Sequence, residues 1–328
     1  MPLPRRRLTL ALVAAVSFWS PAVPAQPVPA WPTRTVHIAV PAPAGSSLDF
    51  IARLLADKLK DRWGQSVLVD NKPGAGGLLG TDLAAKAAPD GHTMTLSFNG
   101  PIAFAPHLYE KLPYNAAKDL LPVVMTTSQP NVLAVNANLP VKTLPEFIAW
   151  AKAKNGGVNY ASLGNGSSAH LTMALFLSEI GAKATHVPFN GSPPAAMAVA
   201  QGETDATFIV APALMAHVRS GKIRLLAVSS PQHPESLKDL PTMASAGLKN
   251  VESLAWNGLF VPAGTPEAVV QKINADVNAV LAEPAARAAL DAQGLTPVGG
   301  SAADFRKLVA TDSQRWGEVI RRLGIKLD

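Results

Sequence analysis

The 328-residue sequence contains no cysteine. That excludes disulfides, zinc–thiolate sites and cysteine nucleophiles together. The seven histidines stand at 37, 92, 107, 170, 186, 217 and 233 and are never closer than 15 residues. No helix can therefore present an i,i+4 histidine pair or an H-E-x-x-H motif to a metal. No G-x-x-x-x-G-K-[ST] loop occurs, and no basic run is interleaved with aromatics. These absences argue against a P-loop nucleotide site and against a nucleic-acid partner. Past the N-terminus no segment approaches 18 uninterrupted apolar residues, so no membrane-embedded segment is expected. The lack of disulfides is no obstacle to an exported fold of about 300 residues, which buries enough core without them.

What is present at the N-terminus is an export signal. Met1–Arg7 carries three arginines and no acid, Leu8–Trp19 is apolar, and Val23-Pro24-Ala25 supplies a small-residue cleavage site. That is the order of a cleaved secretory signal over residues 1–25, and the apolar run is too short to span a bilayer. Its removal takes three of the 29 basic residues and none of the 23 acidic ones, so net charge falls from +6 to +3. The expected location is periplasmic.

The remaining chain alternates strand and helix. Thr35–Val40, Ser66–Asp70 and Thr93–Phe98 read as strands, with helices Leu48–Leu59 and Leu78–Ala87 between them. After Leu121–Thr127 and the strand Val132–Asn136, the amphipathic helix Leu144–Lys154 follows, and then the pattern restarts. Val158–Ser162, Thr185–Phe189, Ala206–Val210 and Ile223–Val228 alternate with helices Ala169–Ile180, Pro194–Gln201 and Pro212–Ser220. Ser229–Leu240 reads as a loop and Ser253–Val261 as extended, followed by closing helices over 266–281, 285–293 and 302–323. A β-α-β-α-β order at this spacing marks a mostly parallel, helix-covered sheet, and its repetition marks two α/β lobes. The lobes are expected at 26–130 with 251–328, and at 131–250. Extended segments near 128–136 and 245–260 cross between them, and the closing helices return to the first lobe.

Three turns lead from a strand end into a helix: Pro41–Asp49, Pro73–Thr81 and Leu163–His170. The first N–H groups of such helices lack intrahelical partners and hold anions readily. Ligands of open α/β sheets sit outside the carboxyl ends of the strands, which is where these turns fall. The turns carry Ser46, Ser47, Asn99, Ser128, Asn131, Ser162, Asn165, Ser167 and Asn190, with Lys72 as their one cation. A carboxylate held here relies on backbone N–H groups, hydroxyls, amides and waters instead of an arginine fork. Gly164-Asn165-Gly166-Ser167-Ser168-Ala169 matches G-x-G-x-x-A, but the next strand ends in Asn190 where a dinucleotide site needs an acid. No cofactor is expected. Ser167 and His170 suggest a nucleophile and base, yet no G-x-S-x-G elbow frames the serine, and the alternative role of His170 is to cap or pack. Asp49 and Arg53 read as an i,i+4 surface pair. Asp205 either meets a ligand amine or hydroxyl or caps a turn.

Five blocks carry a more specific signal: PAPAGSSLDFIAR, VDNKPGAGGLLGTDLAAKAAPDGHTMTL, PNVLAVNANLPVKTLPEFIAWAK, HVPFNGSPPAAMAVAQGETDATF and WNGLFVPAGTPEAVVQKIN. In this order, from about Trp31 to the C-terminus, they resemble the Bug (TctC-like) family, the periplasmic solute receptors of tripartite tricarboxylate transporters. The resemblance implies a two-lobed, Venus flytrap-like receptor without catalysis or metal, probing the periplasm as a monomer for a small carboxylic acid. The closed form would be read by membrane transporter subunits or by a sensor protein. It implies a carboxylate seat in the loop after the first strand, here Ala42, Pro43, Ala44, Gly45, Ser46 and Asp49. Further contacts are implied at Asn99, Ser128, Ser162, Gly164, Ser167, His170, Asn190 and Asp205. The family's loop commonly reads P-F-x-x-G-G-x-x-D; Ala42 replaces its aromatic and Ser46 its second glycine. Lysine is common where Asn190 stands and tyrosine where His92 stands. The runner-up reading is an exported α/β hydrolase or oxidoreductase acting on a small organic acid.

Overall fold

Strand and helix alternate from the first described residues, as the turn chemistry requires. The computed structural model describes residues 31–230 and 237–327. The expected export signal, and part of the expected loop at 229–240, lie outside these residues. The chain begins β1 (Val36–Val40), α1 (Ser47–Trp63), β2 (Val67–Asn71), α2 (Leu78–Ala85) and β3 (Thr93–Phe98). A π-turn at Gly100–Phe104 leads into two short helices, α3 (Ala105–Leu108) and α4 (Ala116–Asp119), and then into β4 (Leu120–Asn136). The second round runs α5 (Leu144–Ala153), β5 (Val158–Ser162), α6 (Ser168–Ile180), β6 (Ala184–Pro188), α7 (Ser192–Gln201), β7 (Ala206–Val210), α8 (Met215–Arg219) and β8 (Ile223–Val228). The chain closes with β9 (Leu254–Pro262), α9 (Glu267–Ala282), α10 (Pro284–Asp291), β10 (Thr296–Gly299) and α11 (Ala302–Leu323).

The strands form one hydrogen-bonded path with two halves. The first half is β2-β1-β3-β9-β4, with β10 added on β4; the second is β6-β5-β7-β4, with β8 added on β4. β4 serves both: Leu120–Pro130 pairs with β9, while Asn131–Asn136 pairs with β7 and β8. The crossovers through α1, α2, α6 and α7 yield parallel pairs, β1 with β2 and β3, and β5 with β6 and β7. The remaining pairs, all involving β4 or β9, are antiparallel, so the sheet is mixed. The two halves thus repeat one plan, a parallel trio continued by antiparallel strands. The chain crosses forward along β4 and returns beside it, with Ser229 N–H donating to Asn131 O at 2.9 Å.

Packing follows the periodicities. On α1, Ile51, Leu55 and Leu59 are fully buried against β1, β3 and α9 residues such as Ile38, Met94 and Ile273. Each such side chain contributes about 1.5–3 kcal/mol relative to exposure. On β4, Val132 and Ala134 enter the cluster that holds Ala195 and Val199 of α7, while Leu133 and Val135 enter the one that holds Phe176 and Phe208. That alternation is the period of two of a strand covered on both faces. The helix α11 does more than return to the first half. Trp316 packs on Phe104 at 5.0 Å and Phe305 on Trp256 at 5.4 Å, while Arg322 reaches Glu179 of α6 at 3.1 Å. It therefore straps the two halves together.

Candidate functional site

The carboxyl ends of the strands deliver helix starts to one place. A cavity with about 630 Å³ of empty space, its mouth included, lies where the turns of the two halves meet. From the first half come Pro41, Ala42 and Pro43 with Ser46, Ser47 and Leu48 at the start of α1. Pro73, Gly74, Gly76 and Gly77 lead into α2, and Phe98 and Asn99 end β3. From the second half come Leu163 and Ser168 at the start of α6, Asn190, Gly191 and Ser192 at the start of α7, and Val210. Gln129, Ala255 and Asn257 line it from the crossing strands. The starts of α1, α2, α6 and α7 thus converge on one cavity. Each contributes roughly 0.3–1 kcal/mol toward an anion when exposed and up to about 2 kcal/mol when partly buried. Among the described residues none that lines the cavity carries a charge, so these backbone fields meet no described side-chain cation or anion in the lining.

The loop after β1 is held from behind. Ser46 caps α1, its hydroxyl accepting the Asp49 N–H at 3.3 Å. The Asp49 carboxylate, buried in the first turn, accepts the Gly45 N–H at 3.0 Å and Arg53 Nε at 3.1 Å, and pairs with Arg53 Nη2 at 2.9 Å. Arg53 also donates to Asn71 Oδ1, and Asn71 Nδ2 donates to the Ala42 carbonyl at 3.1 Å. Burial raises the Asp49 carboxyl, but hydrogen bonds from Arg53, the Gly45 N–H and Asn71 outweigh it and leave the group below the usual carboxylate range. Asp49 and Arg53 are therefore more than the surface pair that the i,i+4 spacing suggests. They brace the loop, and Asp49 faces a neighbouring recess with Gly45 instead of the cavity.

The turns of the two halves touch. Gly76 has φ +64°, and a Cβ there would stand 2.3 Å from the Asn165 carbonyl oxygen. Gly191 has φ +110°, and its Cβ would stand 2.6 Å from Pro43 Cγ. Only glycine permits both the left-handed backbone and the close approach.

Of the residues singled out in the sequence, Ala42, Pro43, Ser46, Asn99 and Asn190 line this cavity, and Ala44, Gly45, Asp49, Ser128, Ser162, Gly164, Ser167, His170 and Asp205 do not. Ser162 and Ser167 spend their hydroxyls on the turn itself: both lie within 3.1 Å of Gly164 O, and Ser162 Oγ is 2.6 Å from His186 Nε2. Gly164 packs its backbone against Gly76. The His170 ring accepts the Gly166 N–H at Nδ1 and stacks on His186 with centroids 3.9 Å apart, so it addresses no serine hydroxyl. Burial, and for His170 also the neighbouring His186, lowers these imidazoles to about 3 and about 4. Asp205 sits at the opposite, amino-terminal edge of β7, paired with Lys154 and accepting the Asn159 N–H at 2.7 Å. Of the two roles open to it, turn capping is the one its contacts fit. Ser128 gives way to its neighbour Gln129, because successive strand residues face opposite sides. Ser47 and Ser168, which lie within the turns read from the sequence, also line the cavity, whereas Gln129, Ser192 and Asn257 do so without a motif to announce them.

Two lining side chains are incompletely used. Asn99 and Gln129, 0% and 2% exposed, bury Oδ1 and Oε1 without a hydrogen-bond partner. A buried acceptor left unpaired costs about 1–3 kcal/mol. Among the described residues no group of three or more His, Asp or Glu side chains is placed to hold a metal, and no helix is long and apolar enough to cross a membrane.

Comparison with known proteins agrees with this architecture. Residues 51–325 match the pattern described as tripartite tricarboxylate transporter family receptor. Protein BugT of Bordetella pertussis is 38% identical over 298 residues, covering 90% of this chain and 91% of its own. Among solved structures, an R. palustris protein with adipate superposes at a TM-score of 0.87 and 33% identity, covering 90% of this chain and 99% of its own. MatC from Rhodopseudomonas palustris with bound malate gives 0.83 and 32%, covering 88% and 100%. The periplasmic binding protein BugD gives 0.84 and 28%, covering 90% and 99%. Matched over most of its length in sequence and in fold, the chain belongs to the tripartite tricarboxylate transporter family of receptors.

Proposed function

We propose that this protein is a periplasmic receptor that holds a small carboxylic acid between its two sheet halves and delivers it, unaltered, to membrane transporter subunits. The observation that carries this reading is the convergence of four helix starts, two from each half, on a cavity lined by no charged side chain. A carboxylate seated there is held by backbone N–H groups and by hydroxyls such as Ser46, Ser47 and Ser192. Because the ligand touches both halves, it favours the form in which their turns meet. The halves then act as lobes, 26–130 with 251–328 against 131–250, in a monomer, and the closed surface is what a transporter or a sensor protein reads. The solved relatives that hold adipate and malate support the ligand class. A catalytic reading has little to draw on. Ser167 donates to Gly164 O, the His170 ring is turned to Gly166 and His186, and among the described residues no acid orients either.

Native mass spectrometry of the protein as purified, followed by thermal shifts against mono-, di- and aromatic carboxylic acids, tests the proposal. The expected result is an acid that raises the melting temperature and is recovered unchanged. Turnover of a panel member, or stabilisation by a nicotinamide dinucleotide and by no acid, defeats it.

A further inference from the structure

Resting on the carboxylate-receptor reading, we propose that the acid this cavity selects is a monocarboxylate carrying an additional hydrogen-bond donor, an O–H or N–H, that is given to Asn99 and Gln129. Asn99 closes β3, and its orientation is fixed because Nδ2 donates to the Leu254 carbonyl at 3.3 Å. Turned over, it would set two oxygens against each other. Oδ1 is then the end left over, buried and without a partner. Gln129 stands on β4 opposite Ala255 of β9 and buries a second amide oxygen in the same condition. The contrast with Asn131, two residues further along β4, is instructive. Its Nδ2 donates to Ser253 at 3.1 Å and Thr172 at 3.4 Å, and its Oδ1 accepts from Ser168 at 3.5 Å. The protein satisfies a buried amide where the amide serves the fold. It leaves acceptors over at two residues that line the cavity.

The cavity therefore offers a ligand two different chemistries. The helix starts supply donors, which suit a carboxylate. An amide oxygen only accepts, so the Asn99 oxygen, fixed by the Leu254 contact, matches a hydroxyl or N–H, leaves a methyl group with an unpaired buried oxygen, and repels a second carboxylate, while Gln129 can present its oxygen to the same donor. No lining side chain is cationic to offset that second charge. Phe98, Leu163, Val210 and Pro73 offer apolar surface to the hydrocarbon body between the two ends.

The test is calorimetric titration of the purified protein with matched acids. One set is hexanoate, 6-hydroxyhexanoate, 6-aminohexanoate and adipate; another is propionate, lactate and methylmalonate; a third is benzoate, 3- and 4-hydroxybenzoate and terephthalate. The tightest acid is expected to carry one carboxylate and a donor, and to lose at least tenfold in affinity when the donor is replaced by hydrogen or by carboxylate. Gln129→Met and Asn99→Leu should each shrink that advantage, taken as the ratio of donor-bearing to donor-free affinity within the same variant, to threefold or less. A donor-free acid or a dicarboxylate as the tightest ligand overturns the inference and leaves the receptor reading standing. The same holds if the donor's advantage persists in both variants. Absence of binding by every acid overturns both. The wild-type series decides the matter even where a variant fails to fold.

Discussion

At the scale of single residues, the candidate site separates groups that line the cavity from groups that brace them. Asp49 belongs to the second kind: with Arg53 and Asn71 it ties the Gly45 N–H and the Ala42 carbonyl into one braced loop. Asp49→Asn keeps the shape and removes the charge. It should cost about 1–2 kcal/mol of stability through weakened charge-assisted hydrogen bonds. It should also lower acid affinity severalfold, because the loop proposed to seat the carboxylate loosens. Thermal melts and calorimetry together check this; unchanged affinity would mean that the loop keeps its form without the brace. How much of the site the sequence disclosed follows from local chemistry. Ser46, Asn99 and Asn190 were legible because they sit at strand ends where turns and caps announce themselves. Gln129 was not, since it lies inside a strand and only the register decides whether it or Ser128 faces the cavity. Asp205 looked available because its partner Lys154 is 51 residues away in sequence.

At the scale of elements, the decisive feature is the meeting of two glycine turns, one before α2 and one before α6. Gly76→Ala would put a Cβ 2.3 Å from the Asn165 carbonyl oxygen and force the turns apart. Gly64→Ala is the matched control: its φ of +61° imposes similar backbone strain, but nothing lies within 4 Å of the added atom. Affinity for whichever acid binds should fall at least tenfold in the first variant and less than twofold in the second. Equal affinities would show that turn contact is no part of the bound state. Most elements could be read from periodicity and turn residues, because β-α-β units declare themselves locally. What could not be read was nonlocal. The segments 121–127 and 132–136 looked like separate pieces, yet partners on both halves join them into the single strand β4. The short strand β10 exists only because β4 has an edge to offer it. The Gly100–Phe104 π-turn is likewise set by packing, with Phe104 stacked against Trp316 of α11.

At the scale of the whole molecule, α11 and α6 join the halves through Arg322 and Glu179, and buried titratable groups make the stability of the fold depend on pH. His170 and His186 are held neutral by burial, with folded values of about 3 and about 4 against an ordinary 6.5. The unfolded chain then binds more protons than the folded one from pH 6.5 down to those values, so their stabilising contribution is complete above pH 6.5 and is lost as pH falls. Asp312 on α11 behaves oppositely. Burial pushes it up to about 6, even though it accepts Trp256 Nε1 at 2.8 Å, so its contribution is lost as pH rises from 3.8 through 6. Between pH 7 and pH 5 the histidines should cost on the order of 2 kcal/mol each, less for the half-buried His186, and Asp312 should return about 1 kcal/mol. The melting temperature is therefore expected to fall on acidification over this window. His186→Phe, which keeps a ring to stack between Tyr160 and His170, should flatten the fall, and Asp312→Asn should steepen it. Calorimetric melts of the three proteins at pH 7, 6 and 5 decide the point. A wild-type melting temperature that holds or rises toward pH 5 would show that the stacked histidines take up protons without opening the structure around them.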